Sequence, residues 1–421
     1  MKFSRFLLSV LSVVLLLAHS TKAAAPPPPA MPVLPDGLGV NIHFTDPRPG
    51  EMKMLADGGF RWIRMDFAWG GIERRKGEYD FSAYDRLIKA LEEYQIRAIF
   101  ILDYSNRFYD NNESPNSDEG RAAFAKWAGE SVKHFKGHGI LWEMYNEPNI
   151  GFWKPKPNVE DYAKLALAVG KAIRDAEPQE VYIGPATSTI KMDFLESCFK
   201  AGCLEYWSAV SVHPYRQRDP ETVSAEYQKL RELIDKYAPQ GRRIPIISGE
   251  WGFSSGWKNF DEERQGKYLP REMLVNLMND VPVSIYYDWH DDGTNPKEPE
   301  HHFGTVHYEY HAGAEQVYEP KPAYLASKAL SSNLAGFRFS KRVEVGGQDD
   351  YVLEFKNDSG EIRYAAWTTA HGPHAIKIPA GASGYSFEDW RGRQLQSQMG
   401  LNVTLTDAPL YILPSKSNKL P

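Results

Sequence analysis

The sequence predicts an α/β fold, a closed (β/α)8 TIM barrel followed by a small C-terminal β-sandwich-like domain, and three observations carry that prediction. Eight short, β-rich apolar runs recur between residues 38 and 290. The stretches between them carry helical spacing on one face. Beyond about residue 337 the pattern changes to short alternating runs parted by Gly, Asn and Asp.

In chain order the runs are "LGVNIHF" (38–44), "RWIRMDFAW" (61–69), "IRAIFILDYS" (96–105), "ILWEMYNE" (140–147), "EVYIGPAT" (180–187), "SAVSVHPY" (208–215), "IPIISGEWG" (244–252) and "VPVSIYYDWH" (281–290). Near-continuous apolar strands suit parallel pairing with both faces buried. Between them, Tyr84, Leu87, Ile88 and Leu91, then Tyr162, Leu165, Ala166, Val169 and Ile173, then Val223, Tyr227, Leu230, Ile234 and Tyr237 each mark one face of a crossover helix. An open doubly wound sheet competes with the barrel. The count of eight, and the lack of a glycine-rich loop after the first run, weigh against it. "EPKPAYLASKALSSNLAG" (319–336) reads as the last barrel helix, which sets the barrel at 37–336 and the β-domain at 337–421. "YVLEFKNDSG", "EIRYAAWTTA" and "LYILP" are its strands; packing on the barrel is the default role for such a domain, with carbohydrate binding the other reading.

The ends of the chain's organisation are compositional. In residues 1–25, Lys2 and Arg5 precede an apolar core from Phe6 to Ala18 and then small residues, the form of a cleaved secretory signal. That core is shorter than the roughly 20 residues a membrane span needs, so a secreted or periplasmic protein without membrane attachment is expected. Residues 26–36, containing "PPPPAMPVLP", read as a stiff linker. A net charge of −6 argues against nucleic acid as a partner. Aromatic residues make up 13% of the chain, including 11 Trp, an excess that calls for a use. Cys198 and Cys203, in "SCFKAGC", are too few for a zinc or redox site and leave a local pair or a structural role.

A (β/α)8 barrel gathers its chemistry at the C-terminal ends of its strands. The fourth run ends in Asn146 and Glu147, and the seventh carries Glu250 in "ISGEWG". One such glutamate means little, since caps and ion pairs use them freely. Two carboxyl groups converging from different strands are what retaining glycoside hydrolysis requires, about 5–5.5 Å apart, one attacking the anomeric carbon and one protonating the leaving oxygen.

The "NEP" and "GEWG" segments resemble the acid/base and nucleophile signatures of glycoside hydrolase clan A. Taken with "NEPNIGFWKP", "HPY" and "EPKPAYLA", the barrel is most similar to family 39 and related bacterial exopolysaccharide or glucan hydrolases, over residues 38 to about 336. The resemblance implies Glu147 as acid/base, Glu250 as nucleophile and Asn146 on the sugar 2-hydroxyl. It also implies Tyr215 hydrogen-bonded to the nucleophile, Arg64 aimed at it to hold it ionised, and Trp289 beneath the cleaved sugar. Arg64 has a structural alternative in Asp66, and His213 is as readily a core histidine as a site residue. Trp69, Tyr104, Trp153, Trp251 and Trp257 fall at or just beyond strand ends. Singly they suit the core, and together they suggest stacking platforms for pyranose rings. His43 follows the first strand and faces the site in this reading. Glu143 reads as a structural charge within strand four; Asp46 and Asp103 are left without a role.

The loop after the eighth run holds His290, His301, His302, His307 and His311. No HExxH helix or standard ligand spacing accompanies them, so a substrate-facing loop is preferred over a metal site, and no cofactor is expected. The expected protein is an exported retaining β-glycoside hydrolase, endo-acting on a β-1,3- or β-1,4-glucan or a bacterial exopolysaccharide. An exo-acting β-xylosidase or uronidase, a transglycosylase, and a non-catalytic carbohydrate-binding barrel are the alternatives.

Overall fold

Eight parallel strands close on themselves in chain order: β1 (Leu38–Asn41), β2 (Trp62–Ala68), β3 (Arg97–Asp103), β4 (Leu141–Met144), β5 (Val181–Ser188), β6 (Val210–His213), β7 (Ile246–Trp251) and β8 (Ser284–Tyr286), with β1 paired to both β2 and β8. The computed structural model describes residues 26–378, 384–396 and 402–414. The expected signal segment lies outside them. Every strand falls on its predicted run, β5 extending one residue further.

Each strand is followed by a helix that covers the barrel, at Glu51–Asp57, Ser82–Glu93, Asp118–His134, Val159–Ala176, Met192–Lys200, Ser224–Tyr237, Glu262–Met278 and Pro322–Asn333. The sequence dictates these locally. Helix Val159–Ala176 starts where the Asn158 side chain accepts from the Glu160 and Asp161 amides, carries two acids in its first turn, and buries Tyr162, Leu165, Val169 and Ile173 against the strands. No helix among the described residues is long and apolar enough to cross a membrane.

The barrel interior is filled in layers. Trp62, Ile99, Leu141, Ile183, Ala209, Ile247, Val283 and Ile285 form a buried apolar lower cluster. Two residues further along the strands, the same inward face presents Asn41, Arg64, Glu143 and Ser211, because strand side chains alternate with period two.

Residues 26–36 do not stand off as a linker. Leu34 is buried and exchanges backbone hydrogen bonds with Gly336 and Phe337, while the Asp36 carbonyl accepts from the Trp62 indole and the Arg97 guanidinium. An apolar side chain with a place to bury outweighs the stiffness of its prolines.

Beyond the barrel, β9 (Val306–Tyr310) and β10 (Tyr318–Pro320) form a hairpin within the last loop. The C-terminal strands are β11 (Arg338–Arg342), β12 (Asp350–Lys356), β13 (Ile362–Thr368), β14 (His374–Lys377), β15 (Tyr385–Glu388), β16 (Gln394–Leu395), β17 (Asn402–Leu405) and β18 (Leu410–Pro414). They make an antiparallel sheet in the order β11-β12-β13-β18-β15-β16, faced by the pair β14-β17. Alternation divides its side chains: Val352, Ala366 and Ile412 face Ile376, Val403 and Leu405, while Leu353, Phe355, Trp367 and Tyr411 join the barrel core. The Trp367 indole donates to Glu221, which also takes both Nε and Nη2 of buried Arg271 from helix Glu262–Met278.

Cys198 and Cys203 are both buried and unpaired.

Candidate active site

A cleft of about 550 Å³ opens over the C-terminal ends of the strands. Its floor is a hydrogen-bonded network centred on Arg64 of β2, which is completely buried. Its Nε donates to Glu143 at 2.6 Å, Nη1 to Glu250 Oε2 at 2.6 Å and Nη2 to Asn146 Oδ1 at 2.9 Å, with His213 Nε2 3.1 Å from Nη2. The expected partner Glu250 is therefore joined by Glu143, an acid as buried as Arg64 itself that Ser211 also bonds; Asp66 is not among the hydrogen-bond partners of Arg64. A Cβ on Gly249 would lie 2.3 Å from Ser211 Oγ and 2.9 Å from Glu143 Oε1, so only glycine leaves this pair its room.

Arginine donates only, so His213 Nε2 must accept from Arg64, which places the imidazole proton on Nδ1. That N–H faces Glu147 Oε1 at 3.0 Å. Burial pushes His213 down to about 4, keeping it neutral. With Oε1 occupied, the acidic proton of Glu147 belongs on Oε2. Burial raises the pKa of Glu147, eased by Ser188 and Arg64. Glu250 sits differently. Oε2 accepts from Arg64 and from Asn41 Nδ2 at 3.2 Å, and Oε1 accepts from Tyr215 Oη at 2.9 Å. An ionised carboxylate accepts all three. Tyr215 keeps its proton, because burial and then the Glu250 charge push its pKa up.

Local backbone sets these positions. Tyr145 and Glu147 have φ of 61° and 44°, a left-handed conformation costing non-glycine residues on the order of 1–3 kcal/mol and concentrated at functional sites. On β7 the register against β8 shifts between Ser248 and Trp251, an irregularity of the kind that re-aims side chains. It turns Glu250 into the cleft and Trp251 into the core. One oxygen of Glu147, a ring nitrogen of His213 and one oxygen of Glu250 lie within 4.8 Å of one another. The same limit describes His43, Asp288 and Asp292.

Of the residues singled out from the sequence, His43, Arg64, Tyr104, Asn146, Glu147, Tyr215, Glu250 and Trp257 line the cleft, and His213 lies directly behind it. Four tryptophans do not reach it. Trp289, expected beneath the sugar, is 1% exposed, donates to Glu51 at 3.1 Å and packs edge-on against Phe60, Tyr318 and Tyr324. Trp69 donates to Glu73 and stacks on Tyr109; Trp153 packs on Tyr145 and Tyr162; Trp251 lies beneath the Arg216 guanidinium and against Phe253. Their apolar area is worth more in the core than at a wet rim. The aromatic at the end of β8 that does face the cleft is Tyr287, two residues before Trp289.

Asn41, Asp66, Phe152, Ser188, Tyr287, Glu300 and Phe303 also line the cleft. Strand parity from Arg64 pointed to Asp66, and parity from Gly39 pointed to Asn41; nothing in the sequence pointed to Glu300 or Phe303. Of the five loop histidines, His290 stacks on Tyr318, and His307 lies 3.7 Å from Asp291 and 3.8 Å from Glu262. None of the five lines the cleft.

Residues 39–293 match the model of the cellulase family (glycosyl hydrolase family 5). A "Beta-xylosidase" of Geobacillus stearothermophilus is 26% identical over 227 residues, 45% of this chain but only 43% of that protein. A family 39 glycoside hydrolase from Bacteroides cellulosilyticus WH2 superposes with a TM-score of 0.77 at 23% identity, covering 90% of this chain and 81% of its own. A family 39 β-xylosidase from Caulobacter crescentus superposes at 0.65 and 17%, covering 93% and 98%. These two show a shared fold. Since the family model spans well over half of the chain, the protein belongs to the cellulase family, glycosyl hydrolase family 5.

Proposed function

We propose that the protein is an exported retaining β-glycoside hydrolase that cleaves an uncharged oligo- or polysaccharide by double displacement, Glu250 attacking and Glu147 first donating and then removing a proton. The observation that carries this reading is the pair of carboxyl groups within 4.8 Å, in opposite environments. Retaining enzymes separate theirs by about 5–5.5 Å, whereas inverting enzymes need roughly 6.5–9.5 Å to admit a water. Glu250 sits in a cradle of three donors that keeps its lone pairs aimed at the anomeric carbon. Glu147 is desolvated and carries its proton on the oxygen that His213 leaves free. Asn146, fixed by Arg64, presents its amide nitrogen to the sugar.

An uncharged substrate follows from where the cations are. Arg64 is saturated by Glu143, Glu250, Asn146 and His213, and His43 lies 3.4 Å from Asp288. Among the described residues no lysine lines the cleft, while Asp66 and Glu300 do. A uronate carboxylate entering there would meet Asp66 and Glu300, and the half-exposed His43 imidazole already faces Asp288, which disfavours the uronidase alternative. An endo-acting enzyme on a β-glucan or a bacterial exopolysaccharide remains the leading assignment. An exo-acting β-xylosidase is the second, favoured by the named activity of the Geobacillus relative.

The experiment is sugar release from β-1,3-, β-1,4- and mixed-linkage glucans, mannan, xylan and aryl glycosides, by the wild type beside Glu250→Gln. Oligosaccharides from one neutral polymer, with the first-formed anomer retained by NMR, are expected. Release of xylose from chain ends alone selects the second assignment, and net inversion overturns the mechanism.

A further inference from the structure

Phe152 is a large apolar side chain left 44% exposed, at a position where the surrounding chain is otherwise fixed. It lies on the loop that carries Glu147. That loop is held by Ile150 N to Glu147 O and Trp153 N to Ile150 O, by Tyr145 Oη to Phe152 O, and by reciprocal bonds between Asn149 and Ser188. The next residue, Trp153, is 1% exposed and anchors the turn in the core. Phe152 is therefore presented to solvent by a rigid frame. Its ring stacks on Tyr104, with centroids 5.8 Å apart and planes 20° apart, and both rings line the cleft. An exposed ring that needs no ordering before it is covered binds a flat apolar face at little entropic cost.

The chemistry fixes which sugar covers it. Glu147 protonates the oxygen of the bond being broken, so groups on its own loop stand beside the leaving group. Tyr287, Trp257 and Phe303 form the wall of the β7 and β8 loops. Resting on the hydrolase reading above, we propose that Phe152, backed by Tyr104, is the platform for the pyranose ring on the leaving-group side. A ring that stacks there after departure, or an incoming one, is held next to the glycosyl-enzyme. Transfer then competes with hydrolysis: the ester bond between the anomeric carbon and Glu250 breaks, the anomeric carbon bonds to the acceptor hydroxyl oxygen, and that hydroxyl proton passes to Glu147. Atoms and charge balance without a further reactant.

The test pairs the oligosaccharide cleaved by the wild type with the glycosyl fluoride of the same sugar, whose leaving group is too small to reach Phe152. Phe152→Ala is expected to lower kcat/KM for the oligosaccharide roughly three- to tenfold, the size of one aromatic stacking contact, and to leave the fluoride within about twofold. It is also expected to lower the yield of transfer product at high acceptor concentration, and Phe152→Trp is expected to restore both. Equal losses on the two substrates overturn the platform in favour of a structural role, and no loss on either overturns it outright. A wild type that turns over neither the fluoride nor any glycan overturns the hydrolase reading instead.

Discussion

Two layers of the same barrel interior, two residues apart along the strands, have opposite characters. In the lower layer Leu141, Ile99, Ile247 and Ile285 belong to one buried apolar cluster. In the upper layer Asn41, Arg64, Glu143 and Ser211 share a buried charged network that ends on Glu250. Along β2 the change is Trp62 to Arg64, along β4 Leu141 to Glu143, and along β6 Ala209 to Ser211 to His213. Apolar packing holds the strands at their spacing and tolerates exchange of shape. A buried ion network tolerates almost none, since an unpaired member keeps its full desolvation cost. The lower layer thus serves stability, and the upper layer spends part of that stability on geometry.

The sharpest break between the layers is catalytic. Glu250→Ala is expected to lose on the order of 10⁴-fold or more in kcat, and Glu147→Ala roughly 10²- to 10⁴-fold on unactivated substrates. Azide with an activated glycoside separates them: NMR should show a glycosyl azide of retained configuration from Glu147→Ala and of inverted configuration from Glu250→Ala. The opposite assignment of anomers would exchange the two roles. Leu141→Ala, by contrast, is expected to leave the activity of the folded protein near wild type.

Next in size is stability. Arg64→Met strands Glu143 in the interior and is expected to cost about 3–5 kcal/mol in urea unfolding, together with activity. Leu141→Ala is expected to cost about 2–5 kcal/mol with activity preserved. Arg64→Met without loss of stability would show that the network is not charged as drawn.

The pH profile sharpens the upper layer further. In the proposed mechanism Glu147 is protonated for the first step, so kcat/KM is expected to fall as pH rises through its pKa. Burial raises that pKa, so the basic limb is expected above the ordinary carboxylate range near about 4.3. A basic limb within that range would contradict the desolvated acid.

The smallest contrast concerns two aromatics at the end of β8. Tyr287→Ala is expected to raise KM, with urea unfolding changed little. Trp289→Phe is expected to lower stability by about 1 kcal/mol through its lost bond to Glu51, with KM unchanged. Exchange of these outcomes would return Trp289 to the cleft.

The sequence by itself determined the barrel, since eight buried strands alternating with one-faced helices have few other ways to cover their apolar surfaces. It also determined the strand ends carrying Asn146, Glu147 and Glu250, because parallel barrel topology brings those ends together whatever the intervening loops do, while Arg64 and Tyr215 were reached through the resemblance to clan A. Which tryptophans line the cleft was decided only by tertiary structure. Trp69, Trp153, Trp251 and Trp289 stand at strand ends as plausibly as Trp257 does, yet all four are buried, Trp251 where the register shifts on β7 and Trp289 on the path of the β8 loop. The same holds for Glu143, whose partners Arg64 and Ser211 come from strands 79 and 68 residues away. Periodicity reports the environment a side chain prefers, and a strand end reports where it begins. Direction beyond the strand depends on loop dihedrals and on neighbours distant in sequence, which no local pattern encodes.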